Sequence, residues 1–166
     1  MIDKVSLMIV YPEIVLLVMA CVIVLYDLSV KGVWRTSTYV LSLLTLGVVA
    51  SLQFIYAGAA QTMYGFGNMV VSDAMGNWLK FFATIALMIT FVYGRPYAAA
   101  RDMMRGGEIF SMGLIALLGM FVMISGNHLL VIYLGIELLT LSSYALVALR
   151  RDRKSTRLNS SHQIIS

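Results

Sequence analysis

The sequence predicts an all-α integral membrane protein of five transmembrane helices with its N-terminus outside. Three observations carry that prediction: a composition too apolar for water, five apolar segments of membrane-crossing length, and a charge asymmetry between alternate loops. Of 166 residues, 60% are hydrophobic and 12% charged, with a mean hydropathy of +0.88. Soluble domains hold about 45–50% and about 25%, so the lipid bilayer is the expected solvent. The net charge of +4 does not call for a nucleic-acid partner, because cations beside spans encode orientation. A single cysteine, Cys21, within an apolar run rules out a disulfide scaffold and a cysteine metal cluster. Two distant histidines, His128 and His162, do not make a zinc set, and no metal site is expected.

A hydrocarbon core of about 30 Å needs about 20 mostly apolar helical residues per crossing. The segments that meet or approach this are Pro12 to Val30, Thr38 to Gly58, Ala74 to Gly94, Ile109 to Gly126 and His128 to Leu149. The first opens on Pro12 and Glu13, a proline where a helix needs no amide donor and a carboxylate at the positive end of the dipole. Ser72 and Asp73 are N-cap residues ahead of the third. Only the turn at Gly126 and Asn127 separates the fourth from the fifth, so these two form a helical hairpin. A cleaved signal peptide is a poor reading of the first span: Asp3 offsets Lys4, Glu13 interrupts the run, and no small-x-small site follows.

The stretch from Ala59 to Gly76 is rich in glycine, alanine and small polar residues and holds no Lys or Arg before Lys80. Cations gather instead at Lys31 and Arg35, at Arg95, Arg101 and Arg105, and at Arg150 and Arg151, all on one side, against Lys4 on the other. The positive-inside rule makes the cation-rich side cytoplasmic. After Arg151 the character changes. Residues 152–166 have no apolar period, and Asp152 to His162 resembles an in-frame translation of a sequencing-library adapter. This tail is read as non-native and set aside from functional reasoning, which leads us to expect a longer native protein.

Glu137 is the strongest candidate for chemistry. It lies near the middle of the fifth span, where insertion of an acidic residue costs about 2.5–3.5 kcal/mol and such residues usually mark proton or ion routes. Tyr133, Thr140 and Tyr144, at i−4, i+3 and i+7, share its side of the helix and make a polar stripe expected to face inward. The plainer reading is a hydrogen bond to a neighbouring helix, which a neutral Gln would provide without the ionisation cost. Lys80, about 10 Å into the third span, either snorkels to the interface or turns inward to a buried carboxylate. Glu108 suits the dipole at the start of the fourth span, with proton entry as its weaker role; Glu13 reads similarly at the outer face. His128 is about 13 Å from Glu137 along the axis and is not its partner. Gly113 and Gly119 permit close helix packing. No phosphate loop, dinucleotide fingerprint or nucleophile elbow appears.

Gly107-Glu108-Ile109-Phe110, Gly119-Met120 and the run from Tyr133 to Leu146, which contains Gly135-Ile136-Glu137-Leu138-Leu139, resemble subunit N of bacterial respiratory complex I. That complex is the proton-translocating NADH:quinone oxidoreductase. Pro12-Glu13 fits as well, and the resemblance covers residues 1–151. Related antiporter-like subunits usually carry a Trp before this Glu or a Pro after it; Ile136 and Leu138 flank it here. The resemblance implies a bundle of inverted repeats. Residues 1–105 would be three helices outside the repeats, and 106–151 helices four and five, the start of the first repeat. It further implies that Glu137 is the glutamate that pairs with a lysine of a later helix and couples quinone reduction to proton movement. It places NADH and quinone in the use of the whole complex, with no cofactor bound by this chain. The partners it implies are the other membrane subunits, and the location a bacterial inner membrane. The rival readings are a non-redox cation/proton antiporter subunit and a non-transporting scaffold.

Overall fold

The computed structural model describes residues 4–29, 36–59, 61–100 and 107–163. In chain order the elements are α1 (Lys4–Ile9), α2 (Tyr11–Ser29), α3 (Thr36–Gly58), β1 (Met63–Gly65), β2 (Val70–Ser72), α4 (Ala74–Ala100), α5 (Glu108–Ser125) and α6 (Leu129–Gln163). Five helices are long and apolar enough to cross a membrane: α2, α3, α4 over Ala74–Pro96, α5, and α6 over Leu129–Ala148. The protein is a multi-pass, all-α membrane protein, as its composition requires. The loop cations Lys31, Arg35, Arg101 and Arg105 lie outside the described residues.

Helix α5 is the axis of the bundle and packs on α2, α3, α4 and α6. Its Leu114, Leu117 and Phe121 form the core with Leu16 and Ile23 of α2, Leu46 and Val49 of α3, and Phe91 of α4. Half of the α5 span is buried but only 11% of the α6 span, so α6 rests against α5 and leaves most of its surface open. The two helices meet backbone to backbone. A Cβ on Gly119 would lie 2.8 Å from the Leu139 amide nitrogen, and one on Gly135 2.7 Å from that of Met123. Only glycine at both positions allows that approach. Gly113 serves a different contact, against the Phe91 ring of α4.

Several buried hydroxyls in the spans are satisfied within their own helices, in keeping with the demand of lipid that every polar group be met. Ser42 donates to the Thr38 carbonyl at 2.8 Å, Thr45 to Leu41 at 2.9 Å and Thr84 to Lys80 at 2.8 Å. Asp73 caps α4 as its position ahead of the span predicts, with Oδ1 accepting the Gly76 amide at 3.2 Å.

The linker between α3 and α4, read from sequence as a small-residue loop, contains a β-hairpin. β1 and β2 pair antiparallel, Met63 opposite Ser72 and Gly65 opposite Val70. Phe66, Gly67 and Asn68 turn the chain with positive φ of 53°, 62° and 73°. Glycine and asparagine accept that conformation readily; Phe66 does not. The hairpin is held from both sides. The Phe66 amide donates to Ser6 Oγ at 3.2 Å, and the Asn127 amide donates to the Met69 carbonyl at 2.9 Å. It closes one end of the bundle between α1 and the α5–α6 turn. Strands of three residues show too little alternation to be read from sequence.

Helix α6 continues through Gln163, past the end of the apolar run. No glycine or proline lies between Ile136 and Gln163, so no residue breaks the backbone hydrogen-bond ladder where the hydropathy falls.

Candidate functional site

Most of the charged side chains among the described residues fall into three places. The first lies one helical turn below the hairpin end, where α2, α4 and α5 converge. Pro12 and Glu13 sit in the first turn of α2, Lys80 in the second turn of α4, and Ser125 is the last residue of α5. The Lys80 ammonium donates to Glu13 Oε1 at 2.6 Å, and the Ser125 hydroxyl donates to the same oxygen at 2.9 Å. Both ionic side chains are buried, at 2% and 8% exposure, and Lys80 Nζ stands 5.8 Å from the centroid of the Phe121 ring. Lys80 therefore turns inward and does not snorkel. Glu13 keeps its place in the first turn of α2 and is also the buried counter-ion of Lys80. Sequence reasoning did not pair them, because 67 positions separate the two residues and only packing sets which faces of α2 and α4 meet.

The second place is the polar stripe on α6. Ile132, Gly135 and Leu139 face α5, which puts Glu137 on the opposite side of the helix. Tyr133 and Tyr144 are exposed at 57% and 69%, Glu137 and Thr140 partly buried. The Tyr133 and Glu137 side chains interact across one turn. The Thr140 hydroxyl donates to the Glu137 backbone carbonyl at 3.0 Å and so satisfies its own helix. Among the described residues no other helix covers this face. Glu137 lies level with Gly119 of α5, about 9 Å along the axis from Ser125. Lys80 is paired with Glu13 and not with Glu137.

The third place is the opposite end of the bundle. Asp27, near the end of α2, accepts the Thr38 hydroxyl at 3.0 Å on one carboxylate oxygen and the Gly107 amide at 3.1 Å on the other. It joins α2, α3 and the start of α5, where an anion complements the helix dipole. Sequence reasoning missed Asp27; the signal was an acidic residue in an otherwise apolar segment. Glu108 is exposed in the first turn of α5. Arg95 of α4 donates to Thr36 Oγ1 at 3.1 Å and lies over the Tyr39 ring at 4.4 Å. Back at the hairpin end, His128 Nδ1 accepts the Leu130 amide at 3.3 Å and caps α6. Among the described residues no group of three or more His, Cys, Asp or Glu side chains could hold a metal ion.

No protein-family model matches the chain. Curated relatives do. NADH-quinone oxidoreductase subunit N of Polaromonas naphthalenivorans is 69% identical over 152 residues, which cover 92% of this chain and 30% of the relative. The chain belongs to the NADH-quinone oxidoreductase subunit N family. The subunit N proteins of Herminiimonas arsenicoxydans and Nitrosomonas europaea are 48% and 45% identical over 90% and 86% of the chain. The chain spans about 30% of the length of these subunit N relatives. The five crossing helices described above thus make up part of a subunit N, and the uncovered face of α6 belongs to that part.

Proposed function

We propose that this chain is the N-terminal part of a membrane subunit of the proton-translocating NADH:quinone oxidoreductase, an enzyme complex in which it contributes to proton translocation coupled to electron transfer from NADH to quinone. The observation that carries the proposal is Glu137, a carboxylate in mid-span on a helix face that this chain leaves uncovered. An ionisable group is costly at that depth unless protein or water meets it. The face is apolar apart from Tyr133, Glu137, Thr140 and Tyr144, which suits burial against further helices of the same subunit. A mid-span carboxylate met by protein or water marks a proton route, and that is the role proposed for Glu137. Tyr133 orients the carboxylate, with Tyr144 and Thr140 lining the same stripe. Lys80 and Glu108 are supporting residues of the hairpin end and of the cation-rich end.

NADH and quinone are bound elsewhere in the complex, and this chain binds no cofactor of its own. Its partners are the other membrane subunits and lipid. It sits in the bacterial inner membrane, with the hairpin end and the N-terminus outside. Residues 152–166 are read as adapter-derived; resequencing the locus through the codon for Arg151 tests this, and a genome that encodes Arg153 to Ser166 overturns it.

The experiment for Glu137 uses Glu137→Gln in the full-length subunit within the assembled complex, with proton translocation and NADH:quinone reductase activity measured in vesicles. The proposal expects a several-fold loss of either rate. Unchanged rates with normal assembly would defeat it.

A further inference from the structure

Among the described residues, three buried polar atoms have no hydrogen-bond partner: Glu13 Oε2, Gln53 Nε2 and Gln53 Oε1. They lie at one level. Helices α2 and α3 run antiparallel, and the Asp27–Thr38 hydrogen bond at one end and the Tyr56–Met8 hydrogen bond at the other set their register. That register puts Gln53 at the level of Glu13, and both side chains are buried in the bundle. The neighbouring Phe54 packs on Trp78 and Phe81 at centroid distances of 5.7 and 6.0 Å, which brings Gln53 to the level of Lys80 as well. Gln53 has 0% exposure and Glu13 7%, so neither bulk water nor lipid reaches these atoms.

An amide with both ends unpaired, level with a half-paired carboxylate, is an arrangement that native interiors resolve with internal water, which bridges two to four such groups. A cation is disfavoured, because Lys80 already supplies the positive charge. An anion is disfavoured by the carboxylate. Water both donates and accepts, matching the two acceptors, Glu13 Oε2 and Gln53 Oε1, and the donor, Gln53 Nε2.

We propose that Gln53, Glu13, Lys80 and Ser125 enclose a buried hydration site, in which internal water bridges the Gln53 amide to Glu13 Oε2 one helical turn below the hairpin. The groups facing Glu13 are Lys80 from α4, Ser125 from α5, and Tyr56 from α3, with which it interacts electrostatically. The water gives the Glu13 carboxylate a proton-exchange partner other than Lys80. The site lies on different helices from Glu137 and does not depend on the role assigned to that residue.

Cryo-electron microscopy of the whole complex in lipid nanodiscs, at a resolution that shows ordered water, tests the site directly. The expected result is at least one density within 3.2 Å of Glu13 Oε2 or the Gln53 amide, a hydrogen-bond distance. The Gln53→Leu variant, close in volume, should lose that density and keep the Lys80–Glu13 contact. A dry site, with the Gln53 amide turned directly onto Glu13 or onto a backbone carbonyl, overturns the proposal. So does a density that persists unchanged in Gln53→Leu.

Discussion

A lysine at 2% exposure in a membrane-crossing helix needs its counter-charge within reach, and Glu13 meets that need with one oxygen. Buried ion pairs add little net stability over apolar residues, yet removal of one partner costs about 3–5 kcal/mol because the other charge is left alone. Lys80→Met by itself should therefore lower the unfolding free energy of the purified full-length protein by about that amount. Lys80→Met combined with Glu13→Gln should recover most of it. If the double variant is no more stable than the single one in detergent unfolding, the pair is not the source of the loss. Lys80 shows how far the residue scale is legible. Its charge and depth posed the question in the sequence, but the answer lay on another helix. Glu137 was singled out by depth alone and its role stays a proposal, while Asp27 and Gln53 stand out only once their partners, or the lack of them, are seen.

At the scale of elements, the α5–α6 hairpin depends on two glycines in backbone contact. Gly119→Val should push α6 away and cost about 1–3 kcal/mol, the range for overpacking a closely packed contact. Gly47→Ala is the control, since nothing lies within 4 Å of a Cβ there; it should leave stability unchanged or raise it slightly. Equal losses from both variants in thermal unfolding would contradict the close contact as the cause. The helical hairpin itself was readable, because two apolar runs separated by a Gly-Asn turn have no other way to cross a bilayer twice. Gly119 suggested close packing, but its opposite number, Gly135, was not distinguishable from the surrounding Leu-rich run. The β-hairpin was not readable either. Its strands are held by Ser6 and Asn127, which are remote in sequence, rather than by any pattern of their own.

At the scale of the whole molecule, the bundle has two unlike ends and one unfinished side. Among the described residues, the end with the β-hairpin carries the buried Glu13–Lys80 pair and Asp73; the other carries Asp27, Arg95 and Glu108. On the proposed orientation, with the cation-rich end inside, a single cysteine placed at Asn68 in a Cys21→Ala background should react with a membrane-impermeant maleimide in intact cells. One placed at Arg95 should react only after the membrane is opened. The reverse pattern would invert the orientation. The unfinished side is α6, whose outward face bears Leu130, Tyr133, Leu134, Leu141 and Tyr144, all exposed. The sequence by itself determined the number of crossings, their approximate ends and the likeness to subunit N, because span length is set by bilayer thickness and is a local property of the chain. Only the tertiary structure decided that Lys80 belongs to Glu13, that Gln53 is buried at their level, and that Glu137 faces away from α5. Those facts depend on the rotation and register of each helix, which are fixed by packing between residues far apart in the chain.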